Sequence, residues 1–147
     1  REPISAPCTV RLQEAARIMT DNGVSALLLM DEKDGKPVLR GIITDRDLRT
    51  RALSEALPSE TPISDIMSED LITIRSNAFI FEAMLTMLHN NVHHLPVMDR
   101  DEVRGVIALS ALVKYDVQSS LDPVSNTCHQ PDAKGLNTVL LDVAHTC

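Results

Sequence analysis

Apolar and polar positions repeat along the chain in two copies at a nearly constant spacing. Residues 12–31, LQEAARIMTDNGVSALLLMD, align with residues 80–99, IFEAMLTMLHNNVHHLPVMD. Farther along, Gly41-Ile42-Ile43 aligns with Gly105-Val106-Ile107, at a smaller offset because the turn before Gly41 is longer than its counterpart. The apolar frame is therefore duplicated, and we expect two related structural units.

Within each copy the apolar spacing changes from that of a helix to that of a strand. Leu12, Ala15 and Met19 recur at helical spacing, and Gly23 marks the end of the helix. The apolar run from Val24 to Met30 is too short for a buried helix and predicts a buried strand. The elements predicted for the first copy are an extended segment at 4–6, this helix, strands at 24–30 and 38–44, and a helix from 45 to about 57. Those predicted for the second copy are an extended segment at 71–74, a helix at 77–90, strands at 92–98 and 103–108, and a helix from 111 to about 118.

Both copies thus predict the order strand, helix, strand, strand, helix, which makes an α+β fold. The helical residues expected to face inward are Leu48, Ala52 and Leu53 in the first copy, and Ile80, Met84, Met87 and Leu88 in the second. The organisation that follows is a first repeat at 1–57, a linker at 58–67, a second repeat at 68–118 and a tail at 119–147. We expect the tail to be poorly ordered apart from a short strand or helix.

Composition narrows the classes of function. A net charge of −7 and a 2% content of aromatic residues disfavour a nucleic-acid partner, which needs accumulated Lys and Arg or aromatic stacking platforms. No apolar run approaches the ~20 residues that a transmembrane helix requires, so we expect a soluble, cytoplasmic protein without a membrane partner. Because the chain begins with Arg, we expect it to be a segment of something larger. Cys8, Cys128 and Cys147 form no disulfide framework, and reduced thiols are expected.

Candidate chemistry lies where the two copies differ. Thr44-Asp45-Arg46-Asp47 follows the first glycine motif, whereas Ala108-Leu109-Ser110-Ala111 follows the second. A Thr at a strand end with an acid three positions later is typical of a capping box, in which each side chain satisfies a backbone N–H of the first helical turn. The same geometry suits a nucleotide, since a helix N-terminus attracts phosphate and an ionised Asp can accept from ribose hydroxyls. The residues alone leave both interpretations open.

Arginines add local positive charge to this junction. They are Arg40, Arg46, Arg49 and Arg51. Phosphate is the obvious counterion in an otherwise acidic chain. For Arg49 and Arg51, however, an ordinary solvated helix face is the favoured interpretation.

The motifs GIITDRDL, TPISDIMSEDLITI and NNVHHLPVMD, in this order and spacing, resemble a CBS-domain pair, also called a Bateman module, across about residues 3–118. The resemblance implies tandem βαββα repeats packed as a pseudo-twofold pair. The segments REPISAP, TDRDLRTRAL and HHLPV also resemble those of one group of CBS pairs. That group occurs in bacterial signal-transduction proteins, which join a cyclic-nucleotide-binding-like module, a CBS pair and a nucleotidyltransferase domain.

The resemblance implies a site for an adenine nucleotide, AMP, ADP or ATP, and no other cofactor. Thr44 and Asp47 would contact ribose and phosphate, with Arg46 as a further ligand contact. The residues that would line the adenine slot are Ile42, Val24, Ser25 and Ala26, and those that would close it from the second repeat are Met67, Ser68, Ile72 and Val92.

The corresponding site of the second copy departs from the pattern. Ala108 and Ala111 cannot accept a hydrogen bond from a ribose hydroxyl, so we expect this site to be empty, weak or differently selective. His93 and His94 stand where the family often places phosphate-contacting basic residues. Adjacent strand residues point to opposite faces, so at most one of them faces a given pocket. A surface histidine beside a packed one is the favoured alternative.

The tail offers the remaining potential ligands and nucleophiles. Cys128-His129 and His145-x-Cys147 would supply four metal ligands, but their spacing fits no usual zinc module, and we expect no metal site. A Cys-His pair of adjacent residues rarely presents nucleophile and base to each other, so we expect no enzyme activity.

We therefore expect a regulatory module that binds an adenine nucleotide at Asp47 and passes a change of repeat or subunit packing to an effector domain outside this chain. The alternative is a ligand-free CBS module that serves dimerisation or interaction. We also expect a homodimer, because the family generally assembles through helical faces. The apolar residues expected on those faces include Leu12, Met19, Ile80 and Met84.

Overall fold

The computed structural model describes residues 3–114, in two compact units that divide between Leu71 and Ile72. The elements of the first unit are β1 Ser5–Pro7, α1 Leu12–Asn22, β2 Ala26–Lys33, β3 Lys36–Thr44, α2 Asp45–Asp47 continued by a π-helix at Leu48–Leu53, and a 3₁₀ turn at Ile63–Asp65. Those of the second unit are β4 Ile74–Arg75, α3 Ile80–Asn90, β5 His94–Asp99, β6 Glu102–Ala108 and a helical stretch at 109–114. The predicted α+β class and element order are confirmed.

Each unit contains one three-stranded sheet of the same topology. The first strand pairs in parallel with the second, and the second pairs antiparallel with the third. Ala26 lies opposite Thr44 in the first sheet, and His94 lies opposite Ala108 in the second. A bulge interrupts the antiparallel ladder directly after Leu29 and again after Val97. The two copies seen in the sequence therefore share their strand register.

The first helix of each unit ends in the same way. Gly23 after α1 and Asn91 after α3 both adopt left-handed backbone, with φ of 62° and 51°. The next amide, of Val24 or Val92, then donates to the carbonyl of Met19 or Met87 at 3.0 Å. This is the Schellman pattern, which satisfies carbonyls that the helix leaves without intrahelical partners. The stop predicted at Gly23 is confirmed.

Each sheet packs one face on its helices to form a small aliphatic core. The fully buried residues of the first core include Ala15, Leu27, Leu29, Ile43 and Ile63, and those of the second include Ala83, Leu95, Val97 and Leu112. The segment after the π-helix also contributes to the first core, because Ile63, Ile66 and Met67 are buried in it. This part of the chain is packed structure that belongs to the compact unit 3–71.

The helix predicted from 45 to about 57 differs from the prediction in form. Asp45–Asp47 makes one α-turn, Leu48–Leu53 is a π-helix, and the turn that follows contains Ala56 in left-handed backbone with φ of 53°. The hydroxyls of Thr50 and Ser54 donate to backbone carbonyls four residues earlier, at 2.7 and 2.6 Å, and such back-bonding distorts helices.

Two inward-facing predictions are wrong. Leu53, at the end of the π-helix, is 78% exposed, and Leu88 in α3 is 79% exposed. Ala52 and Met87, the residues before them, were also predicted to face inward and are buried. Three of the residues expected on an apolar dimer face, Leu12, Met19 and Ile80, are buried inside their own units, and the fourth, Met84, is half-buried.

Some predicted bounds are also too wide. The extended segment predicted at 71–74 forms ladder pairs at Ile74 and Arg75, which lie opposite Val97 and Met98. The helix predicted from Asn77 begins at Ile80. Across residues 3–114, no helix is long and apolar enough to cross a membrane.

Candidate functional site

Thr44 and Asp47 meet at the junction of β3 and α2, as the sequence predicts. The Thr44 hydroxyl oxygen accepts from the Asp47 N–H at 3.3 Å. In return Asp47 Oδ2 accepts from the Thr44 N–H at 2.9 Å and from the Thr44 hydroxyl at 3.0 Å. The capping box is therefore complete. It fixes the Asp47 carboxylate, whose side chain is 15% exposed, at the end of the ladder between β2 and β3.

The two oxygens of this carboxylate have different surroundings. Oδ2 is occupied by the two bonds from Thr44. Oδ1 faces Arg51 Nε at 3.7 Å, which is an ion-pair distance but too long for a hydrogen bond. Within the described residues, Oδ1 accepts no hydrogen bond. Asp47 can therefore complete its cap with one oxygen and offer the other to a hydroxyl group of a ligand.

The start of β2 lies beside this junction. Ala26 is the ladder partner of Thr44, and the Asp45 N–H donates to the Ser25 carbonyl at 3.1 Å. Ile42 lies two positions before Thr44, so the side chains of both residues point to the same face of β3. The structure thus brings the predicted contacts Ser25, Ala26 and Ile42 next to Thr44.

Met67 and Ser68, which sequence analysis expected to reach the site from the second repeat, pack within the compact unit 3–71. Ser68 forms an antiparallel bridge with Ile42, in which each N–H donates to the other carbonyl, at 3.0 and 3.1 Å. Gly41 permits this approach, because a Cβ there would lie 2.7 Å from Met67 Sδ and 3.2 Å from the Ser68 carbonyl oxygen. The bridge covers the edge of β3 directly before Thr44.

A cleft of about 430 Å³ lies on the α1 side of the first unit. Its lining residues are Ala16, Met19, Thr20, Gly23, Val24, Ser25, Asp45 and Leu48. Val24 and Ser25, both predicted to line an adenine slot, therefore share this cleft with Asp45. Neither Thr44 nor Asp47 is among the residues that line it.

The remaining predicted contacts are Arg46 in the first unit and Ile72 and Val92 in the second. Arg46 is exposed on the first turn of α2 and makes no ion pair with another described residue. Ile72 and Val92 are half-buried against the core of the second unit. Their inclusion in a site with Asp47 stays a prediction.

The second copy repeats the backbone of the junction without its polar side chains. The Leu109 N–H donates to the His93 carbonyl at 2.9 Å, as Asp45 does to Ser25. Ala108 and Ala111, both half-buried, stand where Thr44 and Asp47 stand in the first copy. His93 is exposed and His94 half-buried, as expected for successive strand residues.

Residues 3–114 contain no group of three or more Asp, Glu, His or Cys side chains placed to hold a metal ion. The Cys128-His129 and His145-x-Cys147 ligands considered from the sequence lie outside the described residues.

Sequence comparison identifies the family. The model of the CBS domain matches residues 1–54 and again 63–118, so the chain belongs to the CBS-domain family and carries two repeats. A CBS domain-containing protein of Bacillus subtilis, YhcV, is 29% identical over 121 residues, which cover 81% of this chain and 84% of that protein. CBSCBSPB1 of Arabidopsis thaliana is 32% identical over 120 residues, and the chain spans 21% of its length.

Solved structures confirm the fold as a tandem CBS pair. The CBS domain pair of MJ0100, in complex with 5′-methylthioadenosine and S-adenosyl-L-methionine, matches with a TM-score of 0.70 and 26% identity over 82% of this chain and 91% of that one. CBS domain protein PAE2072 of Pyrobaculum aerophilum, complexed with AMP, matches with a TM-score of 0.69 and 21% identity over 99% of this chain and 93% of that one. At that identity the second match supports the fold alone.

Arg51, expected from the sequence on a solvated helix face, makes contacts that were not predicted. Besides facing Asp47, Arg51 Nη1 donates to the Ile66 carbonyl at 3.1 Å and to the Ser68 hydroxyl oxygen at 3.3 Å. Its position four residues after Asp47 was the available signal, because an acid followed by a base at this spacing is a favourable helical pair.

Proposed function

We propose that this CBS pair is a regulatory module that binds an adenosine nucleotide, AMP, ADP or ATP, at Asp47 of the first repeat. The observation that carries this proposal is a fixed carboxylate, one oxygen of which faces Arg51 but accepts no hydrogen bond from a described residue. The capping box uses Asp47 Oδ2, while Oδ1 accepts no hydrogen bond within the described residues. A pre-positioned carboxylate oxygen is well suited to accept from a ribose hydroxyl, because little conformational freedom is lost on binding.

A structural relative in complex with two adenosine compounds supports the adenosine part of the proposal. The CBS pair of MJ0100 binds 5′-methylthioadenosine and S-adenosyl-L-methionine, which share the adenosine group. Adenosine carries ribose hydroxyls, from which the Asp47 carboxylate would accept a hydrogen bond. Ser25, Ala26 and Ile42, which lie beside Thr44, are then the candidates for contacts with the base.

The chain is proposed to hold one nucleotide, because Ala108 and Ala111 in the second repeat lack the hydroxyl and the carboxylate. Calorimetric titration of the chain with AMP, ADP and ATP, and in parallel with S-adenosylmethionine, tests this. We expect a stoichiometry near one for the nucleotide that binds, and a raised melting temperature at saturation. Ligand at ~100 times its dissociation constant stabilises a protein by about 2.7 kcal/mol. A chain whose melting temperature responds to none of these compounds would exclude the sensor function.

The regulatory part of the proposal needs an effector outside this chain. CBSCBSPB1 of Arabidopsis is about five times as long as the segment that it shares with this chain, so CBS pairs of this kind occur within longer proteins. We propose that nucleotide binding changes the packing of the pair and that an attached domain responds to this change.

A second candidate function, assembly into a homodimer, is favoured by one surface of α3. Phe81, Leu85 and Leu88 recur at helical spacing and are 55%, 49% and 79% exposed. Their counterparts in α1 are the polar residues Gln13, Arg17 and Thr20. We propose that this apolar α3 face meets the same face of a second copy, because a twofold contact joins one surface to itself.

Light scattering of two matched variants tests the dimer. Leu88→Asp places a charge on the α3 face, and Leu53→Asp places the same charge at an equally exposed leucine, 78% against 79%, on the first unit. We expect Leu88→Asp to give a monomer and Leu53→Asp to behave as the parent. A monomeric parent at micromolar concentration, or equal masses for all three proteins, would contradict the use of this face.

A further inference from the structure

Arg51 connects two parts of the first unit that are distant in sequence. Its guanidinium group faces Asp47 Oδ1 at 3.7 Å on one side. On the other side Nη1 donates to the Ile66 carbonyl at 3.1 Å and to the Ser68 hydroxyl oxygen at 3.3 Å. The planar guanidinium can donate to the Ile66 and Ser68 oxygens while its charge also faces Asp47, which a lysine ammonium with its single nitrogen cannot do in the same way.

The segment that Arg51 contacts is also bound to the site strand. Ser68 exchanges two backbone hydrogen bonds with Ile42, and Met67 lies against Gly41. Leu71, three residues after Ser68, is the last residue of the first compact unit. The segment 66–68 therefore contacts the strand that leads to Asp47 and, through Arg51, Asp47 itself, and it lies a few residues before the second compact unit, which begins at Ile72.

From these contacts we infer that Arg51 is a positioning residue that holds the segment 66–68 in place and makes its stability depend on what occupies Asp47. The dependence on a ligand rests on the proposed nucleotide binding; the holding of the segment does not. Arg51 is 50% exposed, so water weakens its ion pair with Asp47 in the ligand-free protein. A nucleotide bound at Asp47 displaces water from this pair, which strengthens it and stiffens the segment.

The second repeat lacks this connection in its sequence. Ala111 stands in the place of Asp47, and Tyr115 stands in the place of Arg51. Neither the carboxylate nor the cation is present, so the coupling is a property of the first repeat. The coupling would therefore link Asp47 to the segment 66–68 and would have no counterpart at Ala111.

Amide hydrogen exchange measured by NMR on the whole chain tests the holding role without any ligand. The Ser68 N–H, which donates to Ile42, is the reporter. In Arg51→Met we expect it to exchange about two- to fivefold faster than in the parent, as suits a partly exposed charged contact. Arg49→Met is the matched control, since Arg49 is an exposed arginine of the same helix without an ion pair to a described residue, and it should exchange like the parent.

Arg51→Lys should lie between the parent and Arg51→Met, and circular dichroism establishes that each variant is folded. Equal Ser68 exchange in Arg51→Met and Arg49→Met would overturn the inference. The inference would also be overturned if Arg51→Met were unfolded while the Ser68 amide of Arg51→Lys exchanged at the parent rate.

The same measurement with saturating AMP or ATP tests the coupling. We expect the nucleotide to slow Ser68 exchange in the parent and in Arg49→Met, and to have little effect in Arg51→Met even when calorimetry shows that its site is filled. Full slowing in Arg51→Met would refute the coupling and leave nucleotide binding intact. A parent that binds neither nucleotide would instead refute the proposed function and the coupling with it, while the ligand-free comparison still decides the holding role.

Discussion

Substitution of Asp47 by Asn separates the two tasks that its carboxylate oxygens are proposed to perform. Oδ2 completes the capping box through bonds of 2.9 and 3.0 Å from Thr44. Oδ1, beside Arg51, is the oxygen proposed to meet a ribose hydroxyl. Asn retains one acceptor oxygen, which can serve the cap. Its NH₂ group replaces the other oxygen and cannot accept a hydrogen bond.

The expected effects on stability and on affinity therefore diverge. Asp47→Ala removes an arm of the capping box and should lower the free energy of unfolding by about 0.5 to 2 kcal/mol. Asp47→Asn should cost less, because the cap can be rebuilt. For nucleotide affinity the two variants should be alike. Each loses a hydrogen bond to a charged acceptor, worth about 1.5 to 3 kcal/mol, which corresponds to a loss of roughly tenfold to a hundredfold.

Thermal unfolding without ligand measures the change in stability. Calorimetric titration with AMP and ATP measures the change in nucleotide affinity. Asp34→Asn is the matched control, because Asp34 is an exposed carboxylate in the turn between β2 and β3, at the opposite end of their ladder from Thr44, with a left-handed φ of 54° that Asn also tolerates. It should bind and unfold as the parent does. If Asp47→Asn binds nucleotide as tightly as the parent while Asp47→Ala is merely less stable, the carboxylate is a cap and the assignment of Oδ1 to the ligand is refuted.

Three further predictions follow from the surroundings of individual residues. Gly41→Ala should destabilise the chain by about 1 to 3 kcal/mol in denaturant unfolding, because the added Cβ would press on Met67 and on the Ser68 carbonyl; an unchanged midpoint would contradict this packing. Ala56→Gly should instead stabilise by about 0.5 to 1 kcal/mol, since Ala56 holds a left-handed φ of 53° that glycine adopts freely, and a lower melting temperature would argue against strain there. Burial, followed by the nearby Asp31 carboxylate, raises the pKa of the Cys8 thiol. Its thiolate fraction at pH 8 is therefore smaller than that of free cysteine, and with the other two cysteines replaced by Ser iodoacetamide should alkylate it more slowly than the free amino acid; an equal rate would refute the shift.

Short-range regularities made much of this protein predictable from its sequence. Helices and strands follow the spacing of apolar residues, which depends only on neighbours along the chain, so the element order and the end of α1 at Gly23 are confirmed. The Thr44–Asp47 pair was equally accessible, because a capping box is a contact between residues three positions apart. The duplicated register, with Ala26 opposite Thr44 and His94 opposite Ala108, follows from the same repeat.

Contacts between residues far apart in the sequence were decided by tertiary packing. Periodicity alone placed Leu53 and Leu88 inward beside Ala52 and Met87, but only Ala52 and Met87 are buried. The bridge between Ile42 and Ser68 depends on a backbone approach that only the folded unit creates. Arg51 shows the limit most clearly. Its spacing from Asp47 can be read from the sequence, but its bonds to Ile66 and Ser68 join residues 15 and 17 positions apart, which only the folded unit brings together.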